Sequence, residues 1–284
     1  PESAVFPLWT WGVLALMTAL NHEAVSGLHR FHPLLDSDEA NIATLEYEIT
    51  TMPARVVLLT IPIWLALFAV IAITTPTIAQ HRNNPVVYLV SIAAGLAAFL
   101  IGTGIYIHTV HQLRVVSRLY AGMKKVNMFH LAPVYAFAGL TAQTAVGFII
   151  MIALTQLLYP NSSSDIHVLV LYVNQVLLAL AVFILPLRHA HQRLVSGKQR
   201  LQADAAQRME KALHHLHEAV DEQNIGALDG LNKIVSAITN ERDILAKIPT
   251  WPWPPGTLRA VTTVLLVPIA LFLIQAILRR WFGL

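Results

Sequence analysis

The chain has 284 residues, of which 56% are hydrophobic and only 12% are charged. An ordinary soluble domain carries about a quarter charged residues, so this composition excludes a disordered chain and argues against a soluble globule. The absence of cysteine excludes disulfides, thiolate metal sites and cysteine nucleophiles. The net charge of +3 does not indicate nucleic-acid binding, because the basic residues lie mostly beside apolar segments. We therefore predict the lipid bilayer, and not nucleic acid, as the main partner.

Long apolar segments predict an all-α integral membrane protein. A helix of about 20 residues crosses the hydrocarbon layer, and residues 56–78, 86–107, 131–158, 168–187 and 258–278 are apolar over such a length. Residues 4–20 are also apolar, but this segment is short and contains Pro7, so a span, a half-span and an interfacial helix all stay open. The expected fold has five to six transmembrane helices and a cytoplasmic helical hairpin inserted before the last span.

These segments divide the chain into four parts. Residues 1–55 hold the N-terminal apolar segment and an acidic loop, and residues 56–187 form a four-helix transmembrane core. Residues 188–256 form the hairpin and a Trp/Pro elbow, and residues 257–284 form the C-terminal transmembrane helix. The positive-inside rule places the loop before residue 56, the linker 108–130 and the hairpin in the cytoplasm, which leaves only Arg82, Arg279 and Arg280 outside. Within the acidic loop, residues 45–49 are predicted to form a short amphipathic segment that lies on the membrane surface.

The hairpin is predicted from helical spacing on either side of residues 221–226. In the second half, Leu228, Leu231, Val235, Ile238 and Leu245 recur in a 3-4-3-7 rhythm. In the first half, the seam is predicted at Leu194, Leu201, Ala205, Met209, Leu213, Leu216 and Val220. Because two narrow seams bury little surface, we expect this hairpin to pack on copies of itself, on a partner subunit or on other cytoplasmic loops.

The elbow that follows the hairpin is rich in tryptophan and proline. Proline cannot continue a helix, and tryptophan prefers the headgroup level, so Trp251 and Trp253 are predicted to be interfacial anchors. Thr257 is the predicted N-cap of the last span.

Neutral polar residues are the candidates for a pathway through the membrane. No acidic residue occurs from residue 49 to residue 164 or in any predicted span, which argues against a carboxylate-based proton relay. The candidate pathway residues are Thr103, Thr141, Gln143, Thr144, Asn174 and Gln175. The alternative is that they form hydrogen bonds between closely packed helices.

The 13 histidines offer a metal or pH-sensing site. The candidates are His108, His130 and His189 near the ends of spans, and His214 and His217 in the hairpin, where a solvated polar face is the alternative. Because membrane haems usually need paired histidines within spans, no cofactor is predicted, and haem or a divalent metal remains the minor alternative. No phosphate-binding loop, nucleophile elbow or metalloprotease motif is present, so we predict that the protein is not an enzyme.

Three stretches resemble a bacterial family of multi-span membrane proteins that has no assigned function. They are HQLRVVSR at residues 111–118, APVYAF leading into LTAQTAVG at residues 132–147, and IPTWPWPPGTLR at residues 248–259. The resemblance implies a shared fold and residence in the bacterial inner membrane, and it carries over no site.

Two functions follow as hypotheses. The first is a homo-oligomeric channel-like or transport-related protein whose cytoplasmic hairpins form a gating or assembly collar. The second is a non-conducting scaffold, sensor or accessory subunit of a larger membrane complex.

Overall fold

A computed structural model describes residues 2–35, 39–74, 84–123, 126–158 and 166–282. These residues form helices and turns and no strand, which confirms the predicted all-α class. The ten α-helices are α1 (Glu2–Phe31), α2 (Glu39–Thr50), α3 (Ala54–Thr74), α4 (Pro85–Gly122), α5 (Ala138–Leu158), α6 (Ile166–Ile184), α7 (Arg188–Asp221), α8 (Ile225–Lys247), α9 (Thr257–Leu265) and α10 (Val267–Phe282). Short 3-10 turns occupy His32–Leu34, Ala132–Tyr135 and Leu185–Leu187. Residues 75–78 of the first predicted span and Arg82 lie outside the described residues.

Five segments of the described chain are long and apolar enough to cross a membrane. They are Asn41–Val70, Pro85–Gly122, Ala132–Leu157, Val173–Asp221 and Thr257–Gln275. Each overlaps one of the five predicted spans, although the boundaries differ. The largest difference is in the fourth segment, which extends to Asp221 and not to residue 187. In addition, α4 continues past residue 107 to Gly122, so most of the predicted cytoplasmic linker 108–130 is helix.

The helix α1 differs most from the prediction. Residues 21–31 were expected to begin an acidic loop, but α1 runs unbroken to Phe31, and α2 occupies most of the rest of that region. Val13, Leu20 and Leu28 are almost fully buried, because this face of α1 packs against α4 and α5, whereas Trp11 and Leu14 on its other face are exposed.

Glycines bring α1 and the α5 region close together. Leu16 lies against Gly147, Glu23 against Gly139, and Gly27 against Phe137. The residue numbers rise along α1 while they fall along the other segment, so the two run antiparallel. A side chain at these glycines would meet atoms of the opposite helix at less than 3.0 Å, which explains why each position lacks one.

Proline and glycine mark the breaks in the spans. Pro62 stays inside α3, whereas Pro186 lies in the 3-10 joint between α6 and α7. The last span is divided at Leu266, two residues before Pro268, whose missing N–H cannot join the helical hydrogen-bond ladder. The predicted N-cap at Thr257 is wrong by one residue: Gly256 is the cap, with a left-handed φ of 91° that favours glycine.

The predicted hairpin is present, with α7 and α8 antiparallel. Asp221 ends α7, Gln223 turns the chain with a φ of 55°, and the Asn224 side chain caps α8 by accepting from Ala227 N at 3.2 Å. Ile238 and Leu245 of the predicted α8 seam are buried. On α7 the predicted seam residues Leu194 and Ala205 are buried, but further along the helix Ala212 and Ala219 are buried while the predicted Leu213 and Val220 are exposed.

Candidate functional site

A buried polar junction ties α1, α2 and α4 together at one end of the bundle. Asn21 Oδ1 lies 2.6 Å from His108 Nε2 and 3.2 Å from Gln112 Nε2. Gln112 Nε2 also donates to the carbonyl oxygen of Ile49, at 3.1 Å. Since an amide oxygen accepts only, the hydrogen of the His108 ring lies on Nε2. His108 was predicted to be an interfacial histidine at a helix end, but it is 1% exposed within this junction.

The end of α2 is fastened to α1 and α4 by a second layer of polar contacts. His111 Nε2 lies 3.0 Å from the carbonyl oxygen of Glu48, and the Glu48 carboxylate pairs with Arg118. His29 Nε2 lies 2.9 Å from Glu46 Oε1 on the α1 side. The run 45–49, expected on the membrane surface, thus packs against protein through Ile49, which is fully buried.

Three polar atoms of α4 in or beside the junction have no hydrogen-bond partner among the described residues. They are His108 Nδ1, Thr109 Oγ1 and Gln112 Oε1, and all three side chains are buried. Leaving a buried polar atom unpaired costs about 1–3 kcal/mol. The three unpaired atoms therefore offset part of the stability that the hydrogen bonds of the junction contribute.

Four stacked rings join the elbow to the membrane bundle and to the hairpin. The Phe183 ring, near the end of α6, stacks on Trp253 at 4.5 Å between centroids, and Trp253 stacks on Trp251 at 4.6 Å. Trp251 then stacks on His191, in the first turn of α7, at 3.9 Å. We call these four residues the ring column. It bridges the 3-10 joint at Leu185–Leu187, so the bend between α6 and α7 is supported from one side.

The base of the hairpin is held by two further hydrogen-bonding groups. His191 Nδ1 lies 2.8 Å from the carbonyl oxygen of Thr250. Lys198 Nζ donates to the carbonyl oxygens of Ala246 and Ile248 at 2.7 and 2.8 Å. A lysine that binds the last carbonyls of a helix also complements the negative end of its dipole, so Lys198 stabilises the end of α8. The sequence analysis missed this role, because nothing in the spacing relates residue 198 to residues 246–248.

The predicted pathway residues fall into two groups. Three of them bond to carbonyls of their own helix: Thr103 to Leu100, Thr141 to Ala138, and Thr144 to Leu140.

The other three are glutamine and asparagine. Gln175 donates to the Tyr106 hydroxyl at 2.7 Å, which joins α6 to α4. Gln143 and Asn174 are exposed on the outside of the bundle and make no hydrogen bond to another described residue. The hydrogen bonds therefore account for four of the six side chains, and a polar path lined by these residues stays a prediction.

The predicted histidines are spread over separate places. His130 and His189 are exposed near the base of the hairpin, whereas His214 is 25 residues further along α7, which is about 37 Å at 1.5 Å per residue. His214 and His215 both contact Glu218, at 3.2 and 3.1 Å, and His217 is exposed nearby. Among the described residues no group of three or more histidine and acidic side chains is placed to hold a metal ion.

The hairpin keeps a large apolar surface after it has folded. Ile225 is 81% exposed, Ile244 57% and Ile234 50%. Leu213 and Val220 of α7 are exposed as well. Several exposed large apolar residues on one short element indicate a surface that another molecule covers.

Comparison of the chain with protein-family models, with curated proteins and with solved structures finds no match. The geometry itself gives the class: an all-helical protein with five segments able to cross a membrane and a long hairpin joined to them.

Proposed function

We propose that the protein is a membrane-anchored scaffold whose helical hairpin docks a partner subunit of a larger membrane complex. The observation that carries this proposal is the combination of an exposed apolar hairpin surface with a base that is clamped to the bundle. A clamped base keeps the docking surface in one place relative to the membrane. The partner is expected to supply an amphipathic helix, because its apolar face would cover Ile234 and Ile244, which are exposed on one helix.

The test uses photo-cross-linking in native membranes. A photoreactive residue at Ile234 should capture one specific subunit, and the same residue at Asn232, exposed and polar on the same helix, should not. The double variant Ile234→Ser, Ile244→Ser removes apolar contact without touching the buried seam, so it should lose the subunit while its unfolding temperature stays unchanged. Cross-links only to the protein itself, or equal capture from both positions, contradict the scaffold.

The second candidate is a homo-oligomeric channel-like protein, which is favoured by the outward position of Gln143 and Asn174. A ring of copies that turned these amides toward a shared axis would line a neutral polar path. Ion flux into liposomes that contain only this protein, and loss of that flux in Gln143→Leu, would support this function over the scaffold. Absence of flux over a range of pH and voltage would count against it.

The helix α1 is, on this proposal, a sixth membrane segment. Its residues 12–16 lie beside residues 147–151 of α5, in the apolar middle of a predicted span. A cysteine at Val13, which is buried against the bundle, should stay unlabelled by a membrane-impermeant maleimide in liposomes, whereas one at exposed His22 should react when the reagent is on its side of the membrane. Reaction at residue 13 from either side contradicts a sixth segment.

A further inference from the structure

Asn174 is out of place on the helix where it lies. It is the ninth of the 19 residues of α6, and its side chain is exposed. Its neighbours on that face are apolar and exposed, with Val173 at 53% and Leu177 at 59%. Lipid tails cannot bond to an amide, which has two donor hydrogens and an acceptor oxygen.

The other amide side chain of this helix has a hydrogen-bond partner within the chain. Gln175, the next residue, turns inward and bonds to Tyr106 at 2.7 Å. In the last span, Gln275 donates to the carbonyl oxygen of Gln156 at 3.1 Å. Asn174 makes no such bond to any described residue. Among the described residues it is therefore a polar group in an apolar span that has no hydrogen-bond partner.

The residues in line with Asn174 have the spacing of a helix-pairing seam. Leu177, Ala181 and Ile184 follow it at intervals of three, four and three, which are the a and d positions of a heptad. Ala179 and Val182, on the opposite face, are buried in the bundle. The seam is thus exposed at Asn174, Leu177 and Ile184 and half-buried at Ala181, with a small residue at Ala181 that allows close approach and a single amide at an a position.

From this geometry we infer that two copies of the protein pair through α6 about a twofold axis normal to the membrane, with Asn174 hydrogen-bonded to Asn174 of the second copy. Copies inserted in one membrane share one orientation, so a twofold axis of this kind brings the two α6 helices together in parallel and at equal depth. Residue 174 of one copy then faces residue 174 of the other. An asparagine amide is its own complement, because it donates and accepts, and an a-position asparagine is a known determinant of register and pairing in parallel helices. A lipid or an ionic partner matches neither property.

This pairing does not depend on what the hairpin docks, so the two proposals are tested separately. The mass of the full-length protein in lipid nanodiscs is measured over a range of protein-to-lipid ratios. The wild type should be dimeric, and Asn174→Leu should weaken the dimer about ten-fold, which corresponds to about 1.4 kcal/mol and lies in the range of one membrane hydrogen bond. Asn174→Gln should retain most of the pairing. Gln143→Leu, which removes the other unbonded exposed amide, is the matched control and should leave the dimer unchanged.

Single cysteines locate the interface directly, because the chain has none of its own. Leu177→Cys and Ala181→Cys should form an intermolecular disulfide on mild oxidation in the membrane. Ala179→Cys, on the same helix but facing the bundle, should not. A monomer in lipid, a closed ring of more than two copies, a dimer unaffected by Asn174→Leu, or a cross-link from residue 177 to a different protein would each overturn the inference.

Discussion

Replacing Gly27 with alanine should destabilise the membrane bundle, because α1 touches the chain at residues 136–137 through this glycine. A Cβ at residue 27 would lie 2.9 Å from Cδ1 of Phe137 and 3.0 Å from the carbonyl oxygen of Ala136. Ordinary contact distances are about 3.5–4.0 Å, so the neighbours would have to move by more than half an ångström. The Ala136 oxygen belongs to the backbone, and the fully buried Phe137 ring is packed against Phe31 and Tyr120.

The size of the effect follows from two opposing contributions. Overpacking of a close contact costs about 1–3 kcal/mol, and here the upper end applies because neither neighbour has room. Alanine gains about 1 kcal/mol over glycine in a helix interior, so the net loss is about 2 kcal/mol. Gly104→Ala is the matched control, because nothing lies within 4 Å of a Cβ added there. This variant should therefore gain stability from the higher helix propensity of alanine.

The assay is the temperature at which half of the protein stays monodisperse after heating in one detergent. A loss of about 2 kcal/mol should lower this temperature by about 4–8 °C for a chain of this size. The smaller side chain of Phe137→Leu relieves the contact with residue 27. The double variant Gly27→Ala, Phe137→Leu should therefore lose less stability than the sum of the losses in the two single variants. If Gly27→Ala is as stable as Gly104→Ala, then α1 does not pack closely against residues 136–137, and the reasoning from this contact is wrong.

The remaining predictions concern the junction, the ring column and the hairpin. Gln112→Leu removes two hydrogen bonds and should cost about 1–3 kcal/mol in the same heating assay, whereas Gln143→Leu should change stability by less than about 0.5 kcal/mol. Trp253→Ala interrupts the ring column and should broaden the distance distribution between spin labels on the hairpin tip and the bundle, while an unchanged distribution would show that the column does not fix the hairpin. Arg208→Ala breaks an exposed ion pair with Glu241 and should shift the unfolding free energy by no more than about 1 kcal/mol, with any effect vanishing in high salt.

Periodicity predicted the hairpin well on one helix and less well on the other. In α8 the large apolar residues at 3-4-3-7 spacing are the ones that face α7, with Ile238 and Leu245 buried. In α7 the predicted seam residues Leu194 and Ala205 are buried, but after Ala205 the buried residues are Ala212 and Ala219, at intervals of seven. Periodic patterns give most weight to large side chains, but two helices approach most closely where the side chains are small. The far half of the predicted seam therefore included Leu213 and Val220, which are exposed.

The polar junction could not be predicted, because it depends on where α1 ends. Charged and polar residues from 21 onwards read as a loop, so Asn21 was not expected on a helix facing His108. The buried face of α1 beyond that point consists of few residues, Ala24, Leu28 and Phe31, at intervals of four and three. The histidine was recognised as a candidate, but its burial follows from a helix 87 residues away in sequence. Long-range pairing of this kind leaves no local signal.

The position of α1 at the start of the described chain has a consequence for the order in which the bundle can form. This helix is synthesised well before α4 and α5, the two helices that cover its buried face. Until α4 is made, the Asn21 amide lacks the His108 and Gln112 side chains that it contacts in the folded protein. The contacts of α1 with α5 follow only after more than 100 further residues of synthesis, so the packing of this early helix is completed late.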